Sequence, residues 1–557
     1  MRNDHLSRAT SVALTCVMVG ALAGTAVASE PTPLYYQVLR SLPQPVRAAE
    51  RPTAGEIFIA TSLTSKPGPA IKVASFTLLG VTAIPVAELQ ARANASAGAA
   101  LTPQQIDAVA ADIAKQYRAR GFPLAMAALV DIQGGVARIQ VYEGKLANVR
   151  VEGASGYAEE AVSAPFLDLP RNKPLTVAEL ESAARSLDDY PGLDVRVQAL
   201  PAKTAGETDL VIKVTENRVT GGVGIDNDGI EAVARQRFRG EMQWNSPSGW
   251  GDQLSLAVMG TDLGGDGGLQ FMRLGYSVPF NSRGTRVEFS YAHSEYESTD
   301  LVDPLLGAYT TFGKTSDIRI GISDVTQRSR GSTQIVGYYF QRLEGDNQIT
   351  GAPVVLAPPY DSSNLSLIGI SWFRAVQAAD GTGSSQRVEL ETNLEHNDGS
   401  EGGALLGQLR VDLQNLSGGN VRVYTRLRGA MTATSAPLLK RFQVGGPDSV
   451  RAYDYAMAEG DGGVDATAEF RFGAPGSGGL RSEFVLFADA AYVASHAATT
   501  TPTGSSEKLI GGAGLGLRFG APGFQFKVEY AYPVGQHATP DGNDKGYFWG
   551  GLSVGLD

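Results

Sequence analysis

The chain has 557 residues, enough for several domains, and a formal net charge of −11 from 47 basic and 58 acidic side chains. With no basic excess, a nucleic-acid partner is not expected. The single cysteine, Cys16, leaves no material for disulfides or cysteine-zinc sites.

In chain order, residues 1–28 read as a secretory signal. Arg2 and Arg8 supply its charge, Ala13 to Val27 its apolar run, and Ala26-Val27-Ala28 a small-x-small cleavage site before Ser29. Cys16 lies inside it, so the mature chain is expected to carry no thiol and no cysteine nucleophile. No later stretch approaches the roughly 18 apolar residues of a membrane-spanning helix. Residues 29–70, rich in Pro, Ala and Thr, read as linker. Within them Pro33 to Leu42 is either a short helix with proline in its first turn or part of a disordered leader.

From Ile71 the pattern becomes compact α/β, with residues 71–79 expected as a strand. In LTPQQIDAVAADIAKQYRARGF, Thr102 caps a helix, Pro103 sits in its first turn, and Gln105 completes a capping box. Ile106, Val109, Ala110, Ile113 and Tyr117 share one face, and Gly121 ends the helix. Strands from Ala127 to Ile132 and Val136 to Tyr142 follow, joined at Gln133-Gly134-Gly135. A second unit repeats the order, with Thr176 and Glu179 as its capping box. The two β-helix-β-β modules, 71–144 and 145–217, form a repeat of about 70 residues. Neither clusters groups suited to catalysis.

Residues 218–557 alternate with period 2, as in RQRFRGEMQW, DQLSLAVMG, VELETNLEH and FQFKVEYAYPV. About sixteen such strands fit an outer-membrane barrel with a polar lumen; a soluble sandwich shows the same alternation. Connection lengths separate the two. SPSGWG, FNSR, GAPGSGG and APG are short and fall on one rim. Glu295 to Phe312, Glu344 to Ser362, Met431 to Gly462 and Ala491 to Glu507 are long and fall on the other. In the last segment, GYFWGGLSVGLD, Phe548, Leu552, Val554 and Leu556 alternate as a closing strand should. Tyr547 and Trp549 suit an interfacial girdle.

Several stretches resemble one family. DIQGGVARIQVYEGKL after YRARGF looks like a ShlB-type POTRA domain, and WNSPSGWGDQLSL with LGYSVPF resembles early strands of a secretion barrel. VGGPDSVRAYDY resembles the motif on the sixth extracellular loop, and EFVLFADAAYV a later strand with an inward Asp. Together they are similar to the two-partner secretion transporters (hemolysin secretion/activation proteins, ShlB/FhaC/HecB) of the BamA-like barrel superfamily. The resemblance implies two periplasmic POTRA domains followed by a 16-stranded antiparallel transmembrane barrel. It implies no enzyme activity, cofactor or metal, and a monomer in outer-membrane lipid. Its partner would be a large, β-helical exoprotein, captured unfolded by strand addition and driven outward by folding outside the cell.

By the same resemblance, Gly445, Gly446, Val450, Arg451 and Tyr453 form the loop motif, and Arg451 faces Asp489. Alternation places Glu469 inward as a second partner. The competing reading makes Arg451 a solvated loop arginine of little consequence. Ala452 stands where the family usually has Gly, and would be strained if that position needs a positive φ.

Other motifs carry less. GGAGLGLRFG has Gly-x-Gly spacing but no following helix to hold a phosphate, so it reads as a strand needing small residues. SSEK lacks the partner motifs of Ser-x-x-Lys hydrolases, and the five His residues are dispersed. The reading is an outer-membrane exporter of one exoprotein. A BamA-like assembly factor is the closest rival, and a passive porin gives the periplasmic modules no use.

Overall fold

The computed structural model describes residues 58–59 and 68–556. Excepted are 188–189, 205, 231–232, 262–267, 282–283, 304–306, 330, 351–360, 379–381, 395–407, 418–420, 434–435, 476–479, 496–506 and 536–544. The signal at 1–28 and the segment Pro33 to Leu42 lie outside the described residues.

A two-residue strand, β1 (Phe58–Ile59), comes first, inside the segment read as linker. The first module opens with β2 (Ile71–Lys72) and β3 (Ser75–Leu79), two pieces where one strand was expected. It continues through α1 (Val86–Asn94), β4 (Ala100–Leu101), α2 (Pro103–Ala119), β5 (Met126–Gln133) and β6 (Val136–Tyr142). The second runs β7 (Lys145–Glu152), α3 (Glu159–Leu167), α4 (Val177–Ser186), β8 (Leu193–Pro201) and β9 (Glu207–Glu216). Each module therefore has one helix more than the sequence reading allowed. The helices that were read carry capping boxes at Thr102 and Thr176. The missed ones have no side-chain cap bond, and α3 contains Pro165. They fold because Leu89 and Ala93, then Val162 and Phe166, complete the two module cores.

In each module a glutamate ending the third main strand holds the loop after the first. Glu143 accepts from the Thr82 N–H at 2.6 Å, the Ala83 N–H at 2.7 Å and the Tyr117 hydroxyl at 2.7 Å. Glu216 accepts from the Ser155, Gly156 and Tyr157 N–H groups at 2.9, 2.8 and 3.2 Å. Burial pushes both carboxyls up, and the donated hydrogen bonds outweigh it, holding both below the ordinary glutamate range.

The modules are joined by more than chain. Leu124 of the first packs in the core of the second, and the Val177 N–H donates to the Gly121 carbonyl at 2.8 Å. The second module docks on the first short turn of the barrel. The Ala158 N–H donates to the Gly249 carbonyl at 2.8 Å, and Asn245 Nδ2 to the Asn217 carbonyl at 2.8 Å.

Sixteen strands then close a barrel, each antiparallel to its neighbours. The first eight are β10 (Val219–Asp226), β11 (Arg237–Asn245), β12 (Gln253–Thr261), β13 (Gly268–Pro279), β14 (Arg286–Asp303), β15 (Gly307–Ser329), β16 (Ser332–Thr350) and β17 (Asp361–Gln377). Next come β18 (Gly383–Asn393), β19 (Gln408–Leu416) and β20 (Val421–Thr432). After a hairpin of β21 (Phe442–Val444) and β22 (Ala458–Gly460), the wall resumes. It ends with β23 (Gly462–Pro475), β24 (Arg481–Ala494), β25 (Glu507–Ala521), β26 (Phe524–Pro533) and β27 (Tyr547–Leu556). The seam pairs β10 with β27 from Gly221↔Leu556 to Asp226↔Gly551.

Outward positions such as Met272, Leu274, Ile318, Ile320, Tyr338 and Phe340 expose an apolar surface, as lipid requires. Among the described residues no helix is long and apolar enough to cross a membrane. Connections on the module side are short. The opposite rim carries the long ones, except that Glu295 to Phe312 is mostly strand, with β14 and β15 extended to Asp303 and Gly307. The lumen departs from the polar interior expected of it. Met259, Phe271, Leu343 and Leu367 face inward and bury one another in an apolar cluster.

Replacing Glu143 or Glu216 with Gln is expected to cost about 1–3 kcal/mol of module stability at neutral pH. Both carboxyls titrate below their unfolded value, so their stabilisation is full above about pH 4.5 and falls as pH drops through the folded value. Limited proteolysis of the two modules across that range, variant against parent, checks both the loss and its pH dependence.

Candidate functional site: a loop locked inside the barrel

The loop between β20 and β23 turns back into the lumen as the β21–β22 hairpin, paired from Phe442↔Gly460 to Val444↔Ala458. Gly445 and Gly446 bend its tip with φ of 107° and 86°, angles an L-residue avoids. At Gly446 a Cβ would also stand 2.6 Å from the Tyr455 ring. The Gly446 N–H donates to the Tyr453 carbonyl at 2.9 Å, and the Tyr453 N–H to the Val450 carbonyl at 3.2 Å. Val450, Ala452 and Tyr453 are buried against Val485, Phe487 and Ala531 of the wall. This explains the apolar neighbours of Arg451: the tip is a small core, with the arginine reaching through it.

Arg451, 3% exposed, meets three carboxylates. Its Nε and Nη2 donate to the two oxygens of Asp489 at 2.8 and 2.9 Å, and its backbone N–H to the same group at 3.2 Å. Nη1 donates to Glu469 at 2.7 Å and to Glu529 at 3.2 Å. Its guanidinium lies 3.4 Å from the centre of the Phe487 ring. Three carboxylates around one cation would leave surplus negative charge. Arg471 and Arg518 correct this: Arg471 pairs with Glu469 at 2.7 Å, and Arg518 with Glu469 at 3.0 Å and Glu529 at 2.5 Å. The site thus balances three cations against three anions, as burial demands.

The structure brings Arg451, Asp489 and Glu469 together, on the loop tip, β24 and β23. Glu529, Arg518, Phe487 and Trp549 were missed. Parity could have found the first: in FQFKVEYAYPV the aromatic positions of β26 face out, which turns Glu529 in. Trp549 corrects the girdle assignment. It is fully buried on the lumenal face of β27, stacked on Tyr547, and its Nε1–H donates to the Arg451 carbonyl at 2.7 Å. The outward Phe548, Leu552 and Val554 impose that facing, because Tyr547 and Trp549 have the opposite parity.

Ala452 is not strained. Among the described residues, only Ser246 and Ala456 are non-glycines with positive φ. Ala452 fits because of the strand it faces. A Cβ on Gly512 would lie 2.4 Å from the Ala452 Cβ, one on Gly514 would meet the Phe487 ring at 2.4 Å, and one on Gly516 would meet Glu529 at 2.8 Å. The glycines of GGAGLGLRFG are the floor of this site. The tip has a second tether: Ser449 donates at 3.4 Å to Asp465, a wall carboxylate that Arg428 of the neighbouring strand pairs at 2.5 Å, and Arg426 donates to the Asp448 carbonyl at 2.6 Å.

Residues 206–519 match the haemolysin secretion/activation protein ShlB/FhaC/HecB family, and residues 71–144 match the ShlB-type POTRA domain. The outer membrane transporter CdiB of Escherichia coli is 26% identical over 266 residues, 47% of this chain and 44% of that protein. The heme/hemopexin transporter protein HuxB of Haemophilus influenzae is 25% identical over 238 residues, 42% of this chain and 37% of that protein. The chain therefore spans less than half the length of these curated relatives. The solved structure of CdiB from Escherichia coli is similar with a TM-score of 0.65 at 20% identity, covering 94% of this chain and 97% of that one. BamA from Haemophilus ducreyi lacking POTRA domains 1–3 reaches 0.55 at 15% identity, covering 87% and 100%. Both likenesses are of fold.

Gly512→Ala is expected to push Ala452 off the wall and loosen the tip by about 1–3 kcal/mol, the range for overpacking. Trp549→Phe keeps an aromatic ring but shrinks the buried indole and leaves the Arg451 carbonyl without its donor, costing about 1–3 kcal/mol. Protease accessibility of the loop between Thr432 and Gly462 in the folded protein ranks the two.

Proposed function

The chain belongs to the haemolysin secretion/activation protein ShlB/FhaC/HecB family, and we propose that it is the outer-membrane translocator of a two-partner secretion pair. In this reading residues 1–28 are the export signal and residues 29–70 a leader. Residues 71–144 and 145–217 are two periplasmic POTRA modules, and residues 218–557 are the pore. The cargo is one large secreted exoprotein, β-helical once folded, and the transporter acts as a monomer with no cofactor or catalysis.

The observation that carries the proposal is the loop tip held in the lumen by a neutral six-charge cluster. A permanently open porin has no use for a buried arginine with three carboxylate partners. Cargo capture draws on the modules' sheet edges, where main-chain bonding accepts almost any extended sequence. Docking of the second module on the Ser246–Asp252 turn delivers that cargo beside the barrel mouth. The likeness to BamA is a shared fold and carries no assembly role to this chain.

Arg451→Ala would leave Asp489, Glu469 and Glu529 short of a cation, a loss of about 3–5 kcal/mol from loop anchoring. Secretion of the partner exoprotein into culture supernatant is expected to fall several-fold in Arg451→Ala and in Asp489→Arg. Undiminished secretion by Arg451→Ala chains would remove the mechanism. Deleting the gene without losing any large protein from the supernatant would remove the function.

A further inference from the structure

Two stretches singled out in the sequence, WNSPSGWGDQLSL and LGYSVPF, meet on the module side of the barrel, where β12 pairs with β13. In the turn between β11 and β12, Ser246 adopts a φ of 54° while 1% exposed, and its Oγ accepts from the Gly251 N–H at 3.0 Å. Asp252, also 1% exposed, accepts from the Ser248 hydroxyl at 2.6 Å and from the Tyr276 hydroxyl of β13 at 2.7 Å. A residue other than glycine keeps a positive φ only where its surroundings over-determine it. The turn is a built socket, more than a connection between two strands.

Its contacts with the second module converge on Gly251. That glycine has a φ of 78°, and a Cβ there would stand 3.0 Å from the Tyr190 ring. Tyr190 stacks on Tyr157 with ring centres 5.9 Å apart, and both belong to the module's core. Tyr157 ends the loop that Glu216 holds through three N–H groups, and the next residue, Ala158, is the one that donates to the Gly249 carbonyl. From the barrel side the same glycine is held by Arg286, the first residue of β14. Arg286 is 4% exposed, and its Nη2 donates to the Gly251 carbonyl at 2.9 Å. The same nitrogen donates to the Ser277 hydroxyl and carbonyl of β13 at 2.9 and 3.3 Å. Burial pushes the hydroxyls of Tyr157 and Tyr190 up, and Arg286 pulls both the other way, so its charge reaches the module's aromatic pair.

Gly251 is thus clamped between two tyrosines of the module and one buried cation of the wall. A hydrogen bond from an ionised donor is stronger than a neutral one, and the planar guanidinium fixes direction as well as distance. We propose that Arg286 is the positioning residue of the module–barrel joint: it pins the Gly251 turn to β13 and β14, and so sets where the second module stands at the barrel mouth. The inference rests on the translocator reading and assigns to it the residue that aims the cargo-presenting module at the pore. Arg286 touches no cargo. It acts through Gly251 and Tyr190.

The test is the module-to-barrel distance in the purified full-length protein in lipid, with secretion as a parallel arm. Pulsed electron spin resonance reads it between nitroxides at Arg196→Cys of β8 and Gln525→Cys of β26, both exposed positions in a chain with no native cysteine after Cys16. The parent is expected to give one narrow distance. Arg286→Ala is expected to spread it into a broad range and to lower secretion several-fold, while the folded barrel keeps its heat resistance in detergent. Gly251→Ala reaches the joint from the other side, by pressing on Tyr190, and should have the same effect. Ser277→Ala removes one of the three bonds and should broaden the distance less. Trp250→Ser lies in the same turn, at a half-exposed side chain, and should keep the distance narrow. Parental distances in folded Arg286→Ala and Gly251→Ala overturn the assignment, as does equal broadening by Trp250→Ser. If Arg286→Ala does not fold, Gly251→Ala and Ser277→Ala decide, and narrow distances in both overturn it. A loosened joint in a cell whose supernatant never depends on this chain would keep the positioning role and discard the translocator reading.

Discussion

A guanidinium placed inside a barrel has to be neutralised where it stands, and most of this lumen is organised by that demand. Lipid outside forces every strand amide into the closed ladder, so nothing in the wall's backbone is spare to solvate a charge. Side chains must do it. Asp489 takes the flat face of Arg451 in a two-bond fork, the arrangement a guanidinium favours. Glu469 and Glu529 take the remaining nitrogen, and their excess charge then calls in Arg471 and Arg518. Removing any member leaves an uncompensated charge among its neighbours, which costs more than the pair is worth. Such a cluster contributes little net stability and much definition: it holds the loop in one position.

Shape follows from the same requirement. For Arg451 to reach across, the tip must approach the wall at backbone distance, and glycines permit that on both sides. Gly445 and Gly446 turn the tip, while Gly512, Gly514 and Gly516 clear the floor beneath Ala452, Phe487 and Glu529. Ala452 shows how local the fit is. Its methyl occupies the space a wall side chain would have used, so alanine in the tip and glycine in the strand are one packing decision.

Period-2 patterning made the wall readable, because each strand's facing is set by a single outward residue. The same parity that turned Glu469 inward also turns Glu529 and Trp549 inward. Trp549 was placed outside because tryptophan is at home in an interfacial girdle, yet facing outranks preference when Phe548 and Leu552 already look out. The two missed helices failed on a different signal. Val86–Asn94 and Glu159–Leu167 have no side-chain cap and exist through burial of Leu89 and Phe166. The apolar cluster in the lumen was hidden for a third reason. Its members come from β12 to β17 and from the loop, and no window of sequence shows them together.

Trp549 also ties the locked loop to the closure of the barrel. It sits on β27, the strand that pairs with β10 at the seam, and donates to the carbonyl of the arginine that locks the tip. The seam itself is lean: Gly222 faces Gly555, Gly224 faces Ser553 and Gly551 faces Asp226, leaving Val223↔Val554 and Ile225↔Leu552 as its paired apolar side chains on the outer face. The loop tip therefore supports the last strand from inside the lumen. At the other end of the same wall, β10 begins at the second periplasmic module, whose Asn217 carbonyl accepts from Asn245 beside the docking turn. A pull on the module reaches β10 through covalent chain, and a change at the tip reaches β27 through Trp549. Periplasmic docking and lumenal locking thus act on the two strands that meet at the seam, which makes the state of the loop a property of the whole pore.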